Sequence, residues 1–384
     1  MPRHQQRVNE VFRFFDNRDT ELGFRKLLDC AMDTQKMSIY QKAIELTDWR
    51  EKNPTNIDAL IEKAKSLLDE IASIQVEELS SDNSVLEAKN IKKSYGSNRF
   101  SLGPVSVQIR KGQVYGLVGE NGNGKTTLLR ILAKELSYND GSLSFNFKDK
   151  TTNDFDLRTK LIYIPQRTEK WYGSLKDNLK FVLSNYGINP EENETRTLMM
   201  IARLGLWNYK HLKWSELSSG YKMRFELART LLRQPEILLL DEPLANLDVL
   251  AQQVILEDLK AICNSVNNPI ALILSSQQLY EVEKISDKVI FLKNGQYKDN
   301  HQTSTEEFGD QLIIEIDSSA SREELLTLFG ALDLHQLKYN GGIYIANFGI
   351  ETKFSQVLSV LGNADIEVVY VRNISKSTRR FFVN

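Results

Sequence analysis

Apolar positions recur at helical spacing through the first 80 residues. Val8, Val11, Phe12 and Phe15 fall at i, i+3, i+4 and i+7, which is one stripe of a helix. Shorter stripes follow at Phe24, Leu27 and Leu28, then at Tyr40, Ala43 and Ile44. Pro54 interrupts the pattern and Thr55 is placed to cap the next helix. That helix carries a long seam of Ile57, Leu60, Ile61, Ala64, Leu67, Leu68 and Ile71. Residues 1–80 therefore read as an all-α domain, either a small bundle capping the main domain or a docking or regulatory module.

The polar stretch ELSSDNS reads as a linker, and from Val85 to about residue 300 the texture changes. VYGLVG (114–119), LIYIPQ (161–166), ILLLDE (237–242) and IALILSS (270–276) are short and almost wholly apolar. Such runs suit strands buried on both faces of a parallel sheet, and their alternation with helical segments predicts an α/β architecture over 85–300. From about 310 to 384 the order changes again. LIIEID reads as a strand, Ser321 and Glu324 are spaced as a capping box, and two runs around Asn340-Gly341 suggest a hairpin. A helix over 351–362 and the strand IEVVYV complete a small α+β domain of ferredoxin-like order, β-α-β-β-α-β.

Composition narrows the classes. The chain has 384 residues, 41% hydrophobic and 26% charged, with a formal net charge of −2. Those values describe an ordinary globular protein with no nucleic-acid footprint. No apolar run is long enough to span a bilayer, and MPRHQQRVNEVFRFF lacks the apolar core of a signal peptide. Cys30 and Cys263 are far apart and form no metal spacing, so a reducing, cytoplasmic setting is expected.

The chemistry concentrates in GENGNGKTT. Gly119, Gly124, Lys125 and Thr126 satisfy G-x-x-x-x-G-K-[ST] between an apolar strand and an apolar-striped helix. Glycines let backbone N–H groups of the Gly119, Asn121, Gly122, Asn123, Gly124 loop converge on phosphate oxygens. The helix start at Lys125, Thr126 and Thr127 adds its partial positive charge. Lys125 can reach the terminal phosphates, and the Thr126 hydroxyl and Asp241 can hold Mg²⁺. Glu242, beside Asp241 at the end of an apolar run, can accept the proton of an attacking water. The expected ligands are ATP and Mg²⁺.

LSSGYKMRFELARTLLRQPEILLLDEPLANLD (217–248) resembles the signature-to-D-loop block of ATP-binding cassette (ABC) ATPases. In that resemblance Ser218, Ser219 and Gly220 belong to the signature, and Asp248 ends the D-loop. Gln166 is similar to the Q-loop glutamine, which implies a place for it near Mg²⁺, and Tyr95 to the aromatic that stacks on adenine. The family pattern implies two cassettes closing head to tail on two ATP molecules, from a homodimer or a sister chain. Residues of about 167–216 would then form the helical subdomain. Trp171 and Tyr172 would lie there, beside the groove that receives a separate transmembrane permease. The protein would be peripheral on the inner face of the cell membrane. The C-terminal region resembles those of single-cassette ATPases of ABC-2-type exporters, which implies export.

Two departures stand out. The signature has Ser219 for the usual glycine and Tyr221 for the usual glutamine. Gln277 occupies the place of the family's switch histidine, and Gln278, next to it, reads as a solvated helix-start residue. An amide can donate to a phosphate but carries no charge, so slow hydrolysis is expected. A soluble ABC ATPase or an ATP-gated regulator acting on a non-membrane partner remains the alternative.

Overall fold

Four amphipathic helices come first in the computed structural model, which describes residues 1–79, 83–96, 100–149, 153–245, 247–277, 282, 284–298, 311–340, 342–364 and 366–375. They are α1 (Arg3–Asp16), α2 (Thr20–Asp33), α3 (Met37–Lys52) and α4 (Ile57–Ala72). Most of the stripes found in the sequence are buried, Val8, Val11 and Phe15 on α1 and Leu60, Ala64, Leu67, Leu68 and Ile71 on α4, while Phe12, Ile57 and Ile61 at their margins are half-buried. The cap of α4 is Asn56, whose side chain accepts the Ala59 N–H at 3.3 Å. Thr55 lies one residue too early, in the turn that follows Pro54, so it is not the cap.

The α/β segment follows with β1 (Ser84–Ser94), β2 (Ser101–Arg110), β3 (Val114–Val118), α5 (Lys125–Leu132), β4 (Asp140–Phe145), α6 (Asp154–Lys160) and β5 (Leu161–Ile164). It continues through α7 (Leu175–Ser184), α8 (Pro190–Arg203), α9 (Ser219–Leu231), β6 (Ile237–Leu240), α10 (Val249–Cys263), β7 (Ala271–Ser276), β8 (Lys288–Lys293) and β9 (Gln296–Lys298). The strands β5, β6, β7 and β3 pair in that order and run parallel. Every residue of β3, β6 and β7 is buried, as a sheet covered on both faces requires. Beyond β3 the sheet continues through β8 and β9. A separate antiparallel sheet, β2-β1-β4, has no counterpart in the run-by-run reading.

The N-terminal helices and the α/β segment form one compact unit. Helix α2 makes most of the polar connections. Arg25 donates to Glu257 at 3.0 Å and to Asp258 at 2.8 Å, both on α10. Asp33 accepts from Arg7 at 2.6 Å, from the Ser265 hydroxyl at 2.9 Å and from the Val266 N–H at 3.2 Å. Asp29 pairs with Arg203 of α8 at 2.6 Å. Cys30 and Cys263 are free and buried, and burial pushes both thiols up to about 12.

The C-terminal part of the chain forms a second unit. It holds β10 (Leu312–Ser318), α11 (Arg322–Phe329), β11 (Leu334–Asn340), β12 (Ile343–Phe348), α12 (Phe354–Asn363) and β13 (Val368–Asn373). All pairs in its sheet, ordered β11-β12-β10-β13, are antiparallel. Ile314, Ile316, Phe329, Phe348 and Val357 share the core under the helices. The Ser321–Glu324 capping box is formed. Asn340 still pairs with Ile343, so Asn340 belongs to the strand ladder and not to the turn that Asn340-Gly341 suggested. Gly342 has φ +92°, and Gly341 lies outside the described residues. Helix α12 starts at Phe354 rather than 351, because Ile350 and Glu351 are spent on the turn in which the Thr352 N–H reaches the Gly349 carbonyl.

Candidate nucleotide-binding site

Strand β3 ends at Val118, and the loop Gly119–Gly124 delivers the chain to α5. Gly119 has to be glycine, since a Cβ there would sit 2.4 Å from the Leu292 carbonyl oxygen. Gly122 (φ +82°) and Gly124 (φ +97°) hold the left-handed conformations that close the loop. No side chain caps α5, so the first N–H groups of that helix remain for an anion. Lys125 is buried inside the loop, donating to the Gly119 carbonyl at 2.6 Å and the Glu120 carbonyl at 3.3 Å. The buried Asn123 side chain accepts the Asn294 N–H at 3.0 Å. Asn121 is exposed, while Thr127 is half-buried in the first turn of α5.

Asp241 and Glu242 leave the end of β6 in different directions. Asp241 is buried, and three hydroxyl groups donate to its carboxylate: Thr126 at 2.7 Å, Ser275 at 2.7 Å and Tyr163 at 3.1 Å. Burial first, then the neighbouring carboxylate, pushes the Tyr163 phenol up, so it stays a donor. Ser275 also accepts the Glu242 N–H at 2.8 Å, which fixes a residue whose φ is +48°. That strained backbone turns the Glu242 side chain toward the P-loop, where its Oε1 lies 3.4 Å from Lys125 Nζ.

Gln277 follows β7, parallel to β6 once removed from the P-loop strand, and its Nε2 donates to Glu242 Oε2 at 2.8 Å. Gln166, just past β5, donates to the same oxygen at 3.2 Å. Gln166 thus reaches Glu242 rather than Asp241. Gln278 lies outside the described residues. Tyr163 and Ser275 were missed in the sequence. Only the pairing of β5 and β7 with β6 brings these two hydroxyls, each inside an apolar run, to Asp241.

The signature residues open α9. Ser218 is its cap, accepting the Tyr221 N–H, and Ser219 and Gly220 form its first turn. The Tyr221 ring packs on Tyr209 at 3.9 Å between centroids, so the unusual aromatic is tied to the preceding segment. Asp248 caps α10 through the Ala251 N–H at 2.8 Å, and the next two residues, Val249 and Leu250, are 75% and 76% exposed. Tyr95, at the end of β1, is exposed, with Lys93 5.4 Å from its ring. Of the two aromatics after Gln166, Trp171 is half-buried and donates to Glu226 at 2.8 Å under the Arg229 guanidinium. Tyr172 is 91% exposed.

The residues fit a magnesium nucleotide. Open space lies beyond Gly122, the α5 N–H groups are uncapped, and hydroxyl and carboxylate oxygens of Thr126 and Asp241 meet at 2.7 Å. These are hard donors of the kind Mg²⁺ takes. Among the described residues no group of three or more His, Cys, Asp or Glu could hold a metal ion alone. A cation here would complete its shell with phosphate oxygens.

A glycine loop at the end of a parallel strand, with two carboxylates at the end of the strand next but one to it, defines a P-loop nucleoside-triphosphate-binding domain. The ABC transporter family profile matches residues 102–245. The lantibiotic transport ATP-binding protein SrtF of Streptococcus pyogenes is 31% identical over 237 residues, which cover 60% of this chain and 99% of SrtF. The phosphonates import ATP-binding protein PhnC of Treponema denticola is 29% identical over 224 residues, 55% of this chain and 87% of PhnC. CbiO1 of Clostridium perfringens, part of the ABC transporter complex cbiONQ, shares the fold at a TM-score of 0.52 and 23% identity, over 57% of this chain and 88% of CbiO1. The chain belongs to the ABC transporter family as an ATP-binding ATPase subunit.

Proposed function

We propose that this chain drives a separate membrane permease, outward in direction, by closing on a second cassette around ATP. The observation that carries the reading is the carboxylate pair: Asp241 held by Thr126, Ser275 and Tyr163, and Glu242 turned onto Lys125 and Gln277. Lys125 would exchange its loop carbonyls for phosphate oxygens. Thr126 and Asp241 would hold Mg²⁺, with Gln166 nearby. When bound, Mg²⁺ neutralises charge on the phosphate oxygens. Glu242 would take the proton of the attacking water, and Gln277, already on its carboxylate, would orient both.

Closure on a second cassette is supported by the exposed pair Val249 and Leu250 beside Asp248, apolar surface that a monomer leaves in water. Ser218, Ser219 and Gly220 at the start of α9 would meet the partner's nucleotide, and Tyr95 its own adenine. Tyr172 and the exposed Phe181 of α7 are the aromatics a permease would cover. Among the described residues no helix is long and apolar enough to cross a membrane, so the permease is a distinct segment or chain. Outward transport is supported by the C-terminal resemblance to ABC-2-type exporters. We read the flanking regions as an all-α domain, 1–80, and a ferredoxin-like domain, 310–384, whose strand order β11-β12-β10-β13 is that of such folds. Recovery of a multi-span protein with the tagged chain from detergent-extracted membranes of its host tests the reading. Recovery of soluble partners alone would defeat it.

Gln277 sets the expected rate. Its amide gives Glu242 a neutral hydrogen bond, where a histidine could give a charge-assisted one of about twice the strength. Purified protein should therefore hydrolyse Mg-ATP slowly, and Gln277→His should raise kcat by about tenfold. Tight ATP binding with no turnover in either form would instead make the protein an ATP-gated clamp.

A further inference from the structure

Asp241 is gripped from both sides of its strand. Strand β6 lies between β5 and β7. Tyr163 of β5 stands opposite Leu239, and Leu274, just before Ser275 on β7, stands opposite Leu240. The Ser275 hydroxyl donates to Asp241 Oδ1 at 2.7 Å and the Tyr163 hydroxyl to Oδ2 at 3.1 Å. Each oxygen of one buried carboxylate is therefore held from a different neighbouring strand. Thr126, in the first turn of α5, donates to Oδ2 as well, at 2.7 Å.

The three donors are not equivalent. Thr126 is placed to ligate Mg²⁺ itself, so its oxygen is shared with the cation. Ser275 holds Oδ1 and also accepts the Glu242 N–H at 2.8 Å, which makes it part of the turn between the two acids. A single anchor on one oxygen leaves the carboxylate free to pivot, because the terminal torsion of an aspartate is soft. Tyr163 supplies the second anchor. It is the half-buried member of a strand whose other residues, Leu161, Ile162 and Ile164, are aliphatic and buried. Phenylalanine would fill that place as well. The hydroxyl is what tyrosine adds, and it goes to Asp241.

We propose that Tyr163 is a positioning residue for the cation, its hydroxyl fixing the Asp241 carboxylate toward Mg²⁺. The inference rests on the reading that Thr126 and Asp241 hold the ion, and it extends that reading to a residue outside the phosphate loop, the acid pair and the signature. Hydrogen-bond partners of a ligating carboxylate orient it, and their loss typically weakens metal binding by about 10–100-fold. Ser275 remains in place when Tyr163 is changed, so the lower end of that range applies here.

Binding of a fluorescent, non-hydrolysable ATP analogue to the full-length protein is the readout, measured in excess Mg²⁺ and again in EDTA. The ratio of the two Kd values is the advantage that the cation confers, and it requires no turnover. Tyr163→Phe should lower that ratio by about tenfold and leave the Kd in EDTA within about twofold of the unsubstituted protein. Tyr163→Leu, which also lacks the hydroxyl, should do the same. A ratio that does not fall, or an equal weakening with and without Mg²⁺, would overturn the proposal and leave Tyr163 a packing residue. Asp241→Asn separates the two claims. If it collapses the ratio and Tyr163→Phe does not, the positioning role alone fails. If it leaves the ratio intact, the cation reading fails and the positioning role falls with it.

Discussion

Glu242→Gln should lower ATP turnover by about 10²–10⁴-fold, the range for loss of a general base, while ATP binding persists. The substitution keeps the shape of the side chain and removes its ability to accept a proton. It should also be well accommodated, since among the described residues the donors to Oε2 are amides, Gln277 at 2.8 Å and Gln166 at 3.2 Å. A carbonyl oxygen placed there accepts both. The new amide nitrogen then replaces Oε1, next to Lys125, and that ion pair is lost. Lys125 retains the Gly119 and Glu120 carbonyls, so the loop stays closed without nucleotide. A barrier rise of about 3–5 kcal/mol corresponds to the rate loss. Single-turnover measurements with Mg-ATP, with sizing in its presence, check the result. The variant should accumulate as an ATP-bound dimer, and turnover within about tenfold of the unsubstituted protein would remove Glu242 from the role of base.

Asp29→Ala should destabilise the chain by about 3–5 kcal/mol, the cost of removing one partner from a buried ion pair. Asp29 and Arg203 have side chains only 8% and 6% exposed, so solvent can do little to replace the lost contact. Arg203 already has one unsatisfied nitrogen, and the substitution would strand the other end of the guanidinium. Arg7, 4.0 Å from Asp29, would lose a secondary attraction as well. The double variant Asp29→Leu with Arg203→Met should recover most of the loss, because a buried pair replaced by apolar groups is often neutral. Urea unfolding of the unsubstituted protein, the single variant and the double variant gives both numbers. A single-variant loss below about 1 kcal/mol would show that the pair is hydrated in solution.

Much of the architecture was legible because each region writes its own period. Of the stripe Val8, Val11, Phe12 and Phe15 all but the half-buried Phe12 are buried, and the unbroken runs at 114–118 and 237–240 became fully buried parallel strands. The antiparallel β2-β1-β4 sheet was not read, although β2 alternates buried and exposed positions through Val105, Val107 and Ile109. Its bulges, at Ala88/Ile91 and Ile91/Lys93, break the register of β1 and mask the period. The P-loop and the acid pair were legible from spacing alone. Tyr163 and Ser275 were not, since a hydroxyl inside an apolar run gains meaning only when pairing of β5 and β7 with β6 brings it to Asp241. The same holds for Asp29, Asp33 and Arg25, ordinary charges on a helix until their partners are known. Helix boundaries shifted for local reasons: Asn56 outcompeted Thr55 by standing one residue nearer the helix.

The anchoring of α2 has a consequence for synthesis. Asp33 finds Val266 across 233 residues of sequence, and Arg25 finds Asp258 across the same separation. At about 5–20 residues per second, the ribosome delivers those partners roughly 12–50 seconds after α2 has emerged. Through that interval the four helices can fold on one another, but the face bearing Asp29, Asp33 and Arg25 stays hydrated and open. Its charges keep a waiting surface soluble that an apolar seam of equal area would expose to aggregation. Docking then occurs late, once α10 and the turn after it are complete, and nascent chains halted before residue 266 should be nicked by protease within the first helices.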